Sequence, residues 1–216
     1  MPRSSLRRPG QGLDLSRHLA ETDTVLEGLS SNNLFNNELP LELEIGSGKG
    51  LFLDTASAFN PSHNYVGVEI IAKYARHSAA KLARRQADNA MMLCGNAEPL
   101  LAKSISAGSL EAVHVYFPDP WWKKRHRKRR VLNESSILNL TRCLRPGGRF
   151  HFWTDVLDYF ENTVELIAEI SPILGVPIPE DEIPATHELD YRTHFERRSR
   201  QNCIPVYRVR YEKRID

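Results

Sequence analysis

Residues 117–130 read FPDPWWKKRHRKRR: one carboxylate, Asp119, between two prolines, then two tryptophans, then eight residues of which seven are Lys or Arg. A carboxylate pinned between Pro118 and Pro120 has little freedom, which suits a group that orients a reacting partner; the same Asp could instead start a solvent-facing turn. Seven like charges in eight positions repel one another and are expected to meet a polyanion, so the run reads as a contact for nucleic-acid backbone. A localisation signal has a similar composition, but such signals lie in exposed tails and this run abuts the Asp119 loop. Adjacent residues of an extended loop point opposite ways, so one of Trp121 and Trp122 is expected to stack on a base and the other to anchor the loop.

A second set of candidates surrounds LELEIGSGKG (41–50), an apolar run that breaks into glycines. Its G-x-G-x-G spacing fits neither the dinucleotide nor the P-loop pattern, and alone it means either a tight strand-to-helix turn or a ligand turn at Gly46 and Gly48. Glu69 closes the VGVEI run about 20 residues further on, where an acid can accept from both hydroxyls of a ribose. Glu44 lies inside the first run, and a buried carboxylate is costly unless something positive or donating meets it: a ligand's sulfonium or ammonium, or a nearby Lys or Arg. In GNAEPLL (95–101), Asn96 could bond the edge of an adenine with Ala97 supplying a backbone group, or could cap the helix that follows. Asp155, at the end of FWTD, suits a site residue or an N-cap.

These residues need a frame that brings them to one edge. Short apolar runs (41–45, 65–70, 90–94, 112–117, 148–155) alternate with stretches of helical period (50–59, 72–86, 137–144, 159–170), which implies parallel βαβ units with helices on both faces of one sheet. In such a sheet the loop after the fourth run lies at the switch point, facing the ligand turn. Residues 1–38, rich in Ser, Asn, Gly and Arg, read as a flexible tail with at most one short helix around 16–29, and 39–216 as a single domain. The end of the chain, THELDYRTHFERR and IPVYRVRYEKR, reads as a closing segment and an edge strand. The 29 basic and 27 acidic residues nearly cancel, so the local run and not the total carries the charge signal. Three scattered cysteines without CxxC spacing argue against a zinc site or a disulfide framework and for a reducing compartment, the cytoplasm. No run approaches the roughly 20 apolar residues of a membrane helix, and MPRSSLRRPGQG lacks the apolar region of a secretory signal.

LEIGSGKG, VGVEI, FPDPWWKKRHRKRR, FWTD and THFE (193–196) together resemble the bacterial tRNA (guanine-N7-)-methyltransferases of the TrmB type, from about Leu41 to Lys213. The resemblance implies a Rossmann-like class I methyltransferase fold with a mostly parallel seven-stranded sheet. It also implies that S-adenosylmethionine is the methyl donor and N7 of a guanosine in tRNA, typically at position 46 of the variable loop, the acceptor. By position it places Glu44, Gly46, Gly48, Glu69, Asn96, Ala97 and Asp119 on the cofactor side, with Asp119 also the catalytic residue, and Lys123, Asp155, Thr193, His194, Phe195 and Glu196 on the substrate side. It implies tRNA as partner, no metal and no membrane, and a monomer or homodimer. Some relatives carry Asp where Asn96 stands, and many carry a glycine in the turn occupied here by SRQNC, so Asn202 is expected to take the left-handed position. The physics suits that acceptor: N7 of guanine has an in-plane lone pair and no proton, so the reaction needs placement and electrostatics and no base. The rival reading is an RNA-binding module that has lost its cofactor site; the intact Glu44, Gly46, Gly48, Glu69 and Asp119 oppose it.

Overall fold

The computed structural model describes residues 12–25, 28–121, 124–185, 187 and 190–215, without the side chains of Lys124, Arg127 and Lys128. Its strands are β1 (Leu19–Glu21), β2 (Leu41–Ile45), β3 (Asn64–Glu69), β4 (Ala90–Cys94), β5 (Leu110–Tyr116), β6 (Leu144–Thr154), β7 (Ile178–Pro179) and β8 (Tyr207–Glu212). The helices are α1 (Ser31–Phe35), α2 (Leu51–Phe59), α3 (Ala72–Arg85), α4 (Ala97–Pro99), α5 (Glu134–Cys143), α6 (Leu157–Ile170) and α7 (His194–Gln201). One sheet holds all eight strands in the order β1-β4-β3-β2-β5-β6-β8-β7, parallel except where β8 runs against β6 and β7. Strand order reverses between β2 and β5, which is where such a sheet opens a crevice at its carboxyl edge.

β2 to β6 and β8 coincide with the runs read as strands in the sequence; β7 and β1 do not, so the sheet has eight strands where the resemblance implies seven, and β1 corrects the expected tail. Leu19–Glu21 pair in parallel with Met92–Cys94, the buried His18 ring meets the Ala87 carbonyl at 3.0 Å, and Leu29 lies in the core. Ser30 caps α1. Three residues have no periodicity of their own, so only the distant partner β4 makes them a strand. The expected edge strand, β8, is instead flanked by β7, where Pro179 is tolerated because it is at the rim. After α7 the left-handed residue is Cys203 (φ +53°), while Asn202 stays at φ −102°. The amides of Cys203 and Ile204 reach back to Arg200 and Ser199, the bonding of a Schellman stop one residue later than expected.

The two faces of the sheet differ. On one, Leu43, Ile45, Val66, Val68, Val113, Val115, Phe150 and Phe152 pack against α5 and α6 through Ile137, Leu140, Tyr159 and Ile167. Each such buried side chain contributes about 1.5–3 kcal/mol. The other face is apolar under α2 and α3, with Leu53, Tyr65, Ala79, Leu82 and Met92. Toward β5 and β6 it turns polar: Glu42, Glu44, His114, Tyr116, His151 and Trp153 alternate with the apolar set along their strands and are all buried.

Candidate active site

Because β2 to β6 are parallel, their carboxyl ends share one edge and bring the glycine turn, Glu69, Asn96, Asp119 and Asp155 together. The turn after β2 needs positive φ at Gly46, Gly48 and Gly50, and at Gly50 a Cβ would lie 1.8 Å from Ser78 Oγ of α3. The amides of Gly46 and Ser47 donate to the Val68 carbonyl at 2.8 and 3.1 Å. Glu69 completes the arrangement: Oε2 accepts from the Gly48 amide and Oε1 from the Ile71 amide, both at 2.8 Å. One carboxylate thus ties the turn to the start of α3 while two of its lone pairs remain for a ligand.

Glu44 lies beneath the turn. Its Oε2 is buried without a hydrogen-bond partner among the described residues. Burial pushes its pKa up to about 7; the Glu69 charge adds to this, while Ser47 and Lys81 oppose it. No ion pair forms there among the described residues, so the alternative of a direct Lys or Arg partner is not realised. Asn96 caps α4, accepting from the Glu98 amide at 3.0 Å, with Ala97 buried behind it.

The Asp119 loop is held from both sides. Phe117 (φ +49°) and Trp121 (φ +45°) take left-handed turns, a conformation that costs about 1–2 kcal/mol for a residue with a Cβ. Anchors hold it: the Phe117 amide donates to Trp153 O at 2.7 Å, and Arg130 Nε donates to Pro120 O at 2.8 Å. Arg130 also lies over the Tyr159 ring (4.4 Å) and pairs with Asp158 (3.4 Å). Trp121 faces the cavity with His126 stacked on it at 6.0 Å and Arg129 at 5.1 Å from its ring centroid. Trp122 and Lys123 lie outside the described residues.

Of the remaining substrate-side candidates, Phe195 alone faces the cavity, and its ring stacks with Phe117. Thr193 caps α7 by accepting from the Glu196 amide at 3.0 Å. Glu196 is buried, accepts from the Arg192 amide at 2.7 Å and pairs with Arg200 and Arg208. Asp155 does not cap α6, whose N-cap is Val156 with no side-chain bond; it accepts instead from Ser199 Oγ at 3.3 Å and fastens α7 to β6. His194 is kept neutral, its pKa lowered to about 4 by burial and by Lys81, Arg197, Lys49 and His77.

Glu69, Asn96, Ala97, Asp119 and Phe195 converge on one cavity of about 630 Å³. Gly46 and Gly48, the exposed Ile70 and Ile71 next to Glu69, and Arg129 and Arg130 also line it. Under this cavity runs a polar network that sequence reasoning misses. Burial lowers the His114 pKa to about 4, so the ring is neutral and its Nε2–H donates to Glu42 at 2.7 Å. Its Nδ1 then accepts from the Tyr116 hydroxyl (2.9 Å), which accepts from Arg192 (3.3 Å). His151 stacks on His114 at 4.8 Å and bonds Glu180, which also accepts from Trp153 Nε1 at 2.7 Å. Its only signal in the sequence is acids, histidines and aromatic residues spaced two apart, alternating with apolar residues in the strands.

The family described as "Putative methyltransferase" matches residues 38–209. A tRNA (guanine-N(7)-)-methyltransferase of Rhodopirellula baltica is 61% identical over 99% of this chain and 81% of its own. One from Francisella philomiragia is 30% identical over 96% of this chain and 90% of its own. Among solved structures, the 16S rRNA methyltransferase KamB has a TM-score of 0.61 at 19% identity, covering 85% of this chain and 92% of that one. An rRNA methylase from Streptococcus thermophilus has 0.55 at 12% identity over 98% and 100%. At these identities the two structures show likeness of fold alone.

Proposed function

The chain belongs to the tRNA (guanine-N(7)-)-methyltransferase family, and we propose that it methylates N7 of a guanosine in tRNA, with the variable-loop guanosine at position 46 as its target. One observation carries this: a single cavity is lined by Gly46, Gly48 and Glu69, by Asp119 and, from the basic run, by Arg129 and Arg130. The unpartnered Glu44 Oε2 and the two amide-bound oxygens of Glu69 fit S-adenosylmethionine, a cation with a ribose. When bound, S-adenosylmethionine supplies an electrophilic methyl on sulfonium.

Glu69 accepts from the ribose hydroxyls, Ile70 and Ile71 cover the adenine with Asn96 and Ala97 at its edge, and Glu44 neutralises the ammonium. Gly46 and Gly48 let the backbone approach closely. Asp119 is the catalytic residue: it accepts from the Watson–Crick edge of the guanine, fixes N7 for in-line attack and stabilises the positive charge that develops on the base. N7 has no proton, so Asp119 removes none. Lys123 and its basic neighbours hold phosphates; Asp155, Thr193, His194 and Glu196 set the flank from which Phe195 meets the base.

No helix among the described residues is long and apolar enough to cross a membrane, and none of their His, Cys, Asp and Glu side chains form a group that could hold a metal ion. The protein works in the cytoplasm, as a monomer or homodimer. The test is incubation with S-adenosylmethionine and unmodified tRNA, followed by nucleoside mass spectrometry. 7-Methylguanosine, absent when position 46 of the tRNA is changed from guanosine, is the expected result; no 7-methylguanosine with any tRNA refutes the reading.

A further inference from the structure

We propose that the Phe117 and Phe195 rings form the face on which the target guanine lies, and that this face favours the base in its methylated, cationic form. The proposal rests on the N7 reading above and names what recognises the base. The two rings come from distant parts of the chain, one from the start of the Asp119 loop and one from α7. They lie 6.2 Å apart with planes 19° from parallel, and both line the cavity. Phe195 is 57% exposed although Phe117 stacks with it, so part of its ring remains open to a ligand in the cavity. Phe117 reaches its place through a left-handed backbone turn pinned by the Trp153 carbonyl, two residues before Asp119.

The other rings of this cluster already have a cation. Arg192 lies over Phe52, Tyr116 and Trp153 at 5.7, 6.0 and 5.2 Å, whereas among the described residues no cation lies over Phe117 or Phe195. Their faces carry the negative lobe of the ring quadrupole and attract positive charge. In the reaction the N7 lone pair forms a bond to the methyl carbon, the carbon–sulfur bond breaks with its electron pair going to sulfur, and no proton moves. The positive charge passes from sulfur to the purine. A ring face that holds neutral guanine by stacking therefore holds the charged base more tightly, and part of that gain is already present in the transition state.

The test uses the full chain and two free nucleosides, guanosine and 7-methylguanosine, titrated by calorimetry at mildly acidic pH where the latter is cationic. Wild type is expected to bind 7-methylguanosine on the order of tenfold more tightly than guanosine. Phe195→Leu keeps apolar bulk without a π face and should lower the ratio about threefold, leaving the part that Phe117 and Asp119 support; Phe195→Tyr should restore it. An unchanged ratio in Phe195→Leu overturns the proposal, as does equal binding of the two nucleosides by wild type. Because Phe195 is exposed, the Leu variant keeps its fold, which a melting curve verifies. The methyl-transfer reading fails separately: a wild type that forms no 7-methylguanosine in tRNA but prefers the charged nucleoside by a ratio that Phe195→Leu lowers supports the ring face and refutes the reaction.

Discussion

Glu69→Gln tests the site at its most connected point. The carboxylate accepts from the Gly48 and Ile71 amides at 2.8 Å each and is buried at 7% exposure. A Gln side chain has one acceptor oxygen, so one amide keeps a weaker, neutral bond and the other faces an NH₂ group. Losing a bond to a charged group costs about 1.5–3 kcal/mol. For a domain of this size that lowers the melting temperature by about 3–12 °C. Ribose hydroxyls donating to the same carboxylate lose a similar amount, and since 1.4 kcal/mol is tenfold, S-adenosylmethionine affinity should fall by about ten- to a hundredfold. The assays are differential scanning fluorimetry without ligand and calorimetry with S-adenosylmethionine. A melting temperature within a degree of wild type would refute the bridge as the clamp on the glycine turn. A lowered melting temperature with affinity within twofold of wild type would leave the clamp standing and refute the ribose contact.

Asp119→Ala should leave tRNA affinity within about threefold while turnover falls at least a hundredfold, because one electrostatic interaction disappears from the transition state; filter binding beside a single-turnover assay separates the two, and collapse of binding would make Asp119 structural. Replacing Lys124, Arg127 and Lys128 together with Ala should flatten the slope of log affinity against log salt by roughly one unit for each phosphate the loop no longer neutralises; an unchanged slope means the run does not touch RNA. Two pH effects of opposite sign are expected in urea unfolding. His114, lowered from 6.5 to about 4, contributes stability that is present above pH 6.5 and lost as pH falls through 4, so wild type should lose about 2 kcal/mol relative to His114→Gln between pH 7 and pH 5. Glu44, raised from 4.5 to about 7, contributes stability present below pH 4.5 and lost as pH rises through 7, so Glu44→Gln should gain on wild type across that window; a parallel pH profile for either variant refutes its assignment.

The parts of the site legible in the sequence are those whose logic is local. A strand, three glycines and an acid about 20 residues later specify the turn, and Glu69 closes it. Two prolines around Asp119 announce a fixed loop before any partner is known. The parts that were not legible depend on pairings across long separations. Glu42 and His114 meet across 72 residues, and neither residue type nor spacing says which strands will be neighbours. β1 is a strand only because β4 is beside it. Thr193 and Glu196 are a similar case. THFE has the form of a helix start, S/T-x-x-E, yet Glu196 reaches the Arg192 amide and two arginines, not the cavity, which leaves Phe195 as the member of the motif that meets it.

That division explains why the sheet's second face is polar where it is. α5 and α6 dock by apolar burial, which fixes position loosely because one apolar contact can replace another. The described residues from Glu180 to Arg208 dock mainly by directional contacts: Glu180 with His151 and Trp153, Arg192 with the Tyr116 hydroxyl and the rings of Phe52, Tyr116 and Trp153, and Glu196 and Glu182 with Arg200 and Arg208. Buried ion pairs add little net stability because desolvation offsets their attraction, but each is satisfied by few geometries. Tyr116 ends β5 and Trp153 is the penultimate residue of β6, and the same two residues adjoin or anchor Phe117 through the chain and the Trp153 carbonyl. Glu180 and Arg192 therefore act on the pair of strand ends from which the Asp119 loop departs, and they place α7 against it. The proposed alignment of Asp119, a ring face and a methyl donor needs that fixed geometry more than it needs stability, and the polar face supplies it.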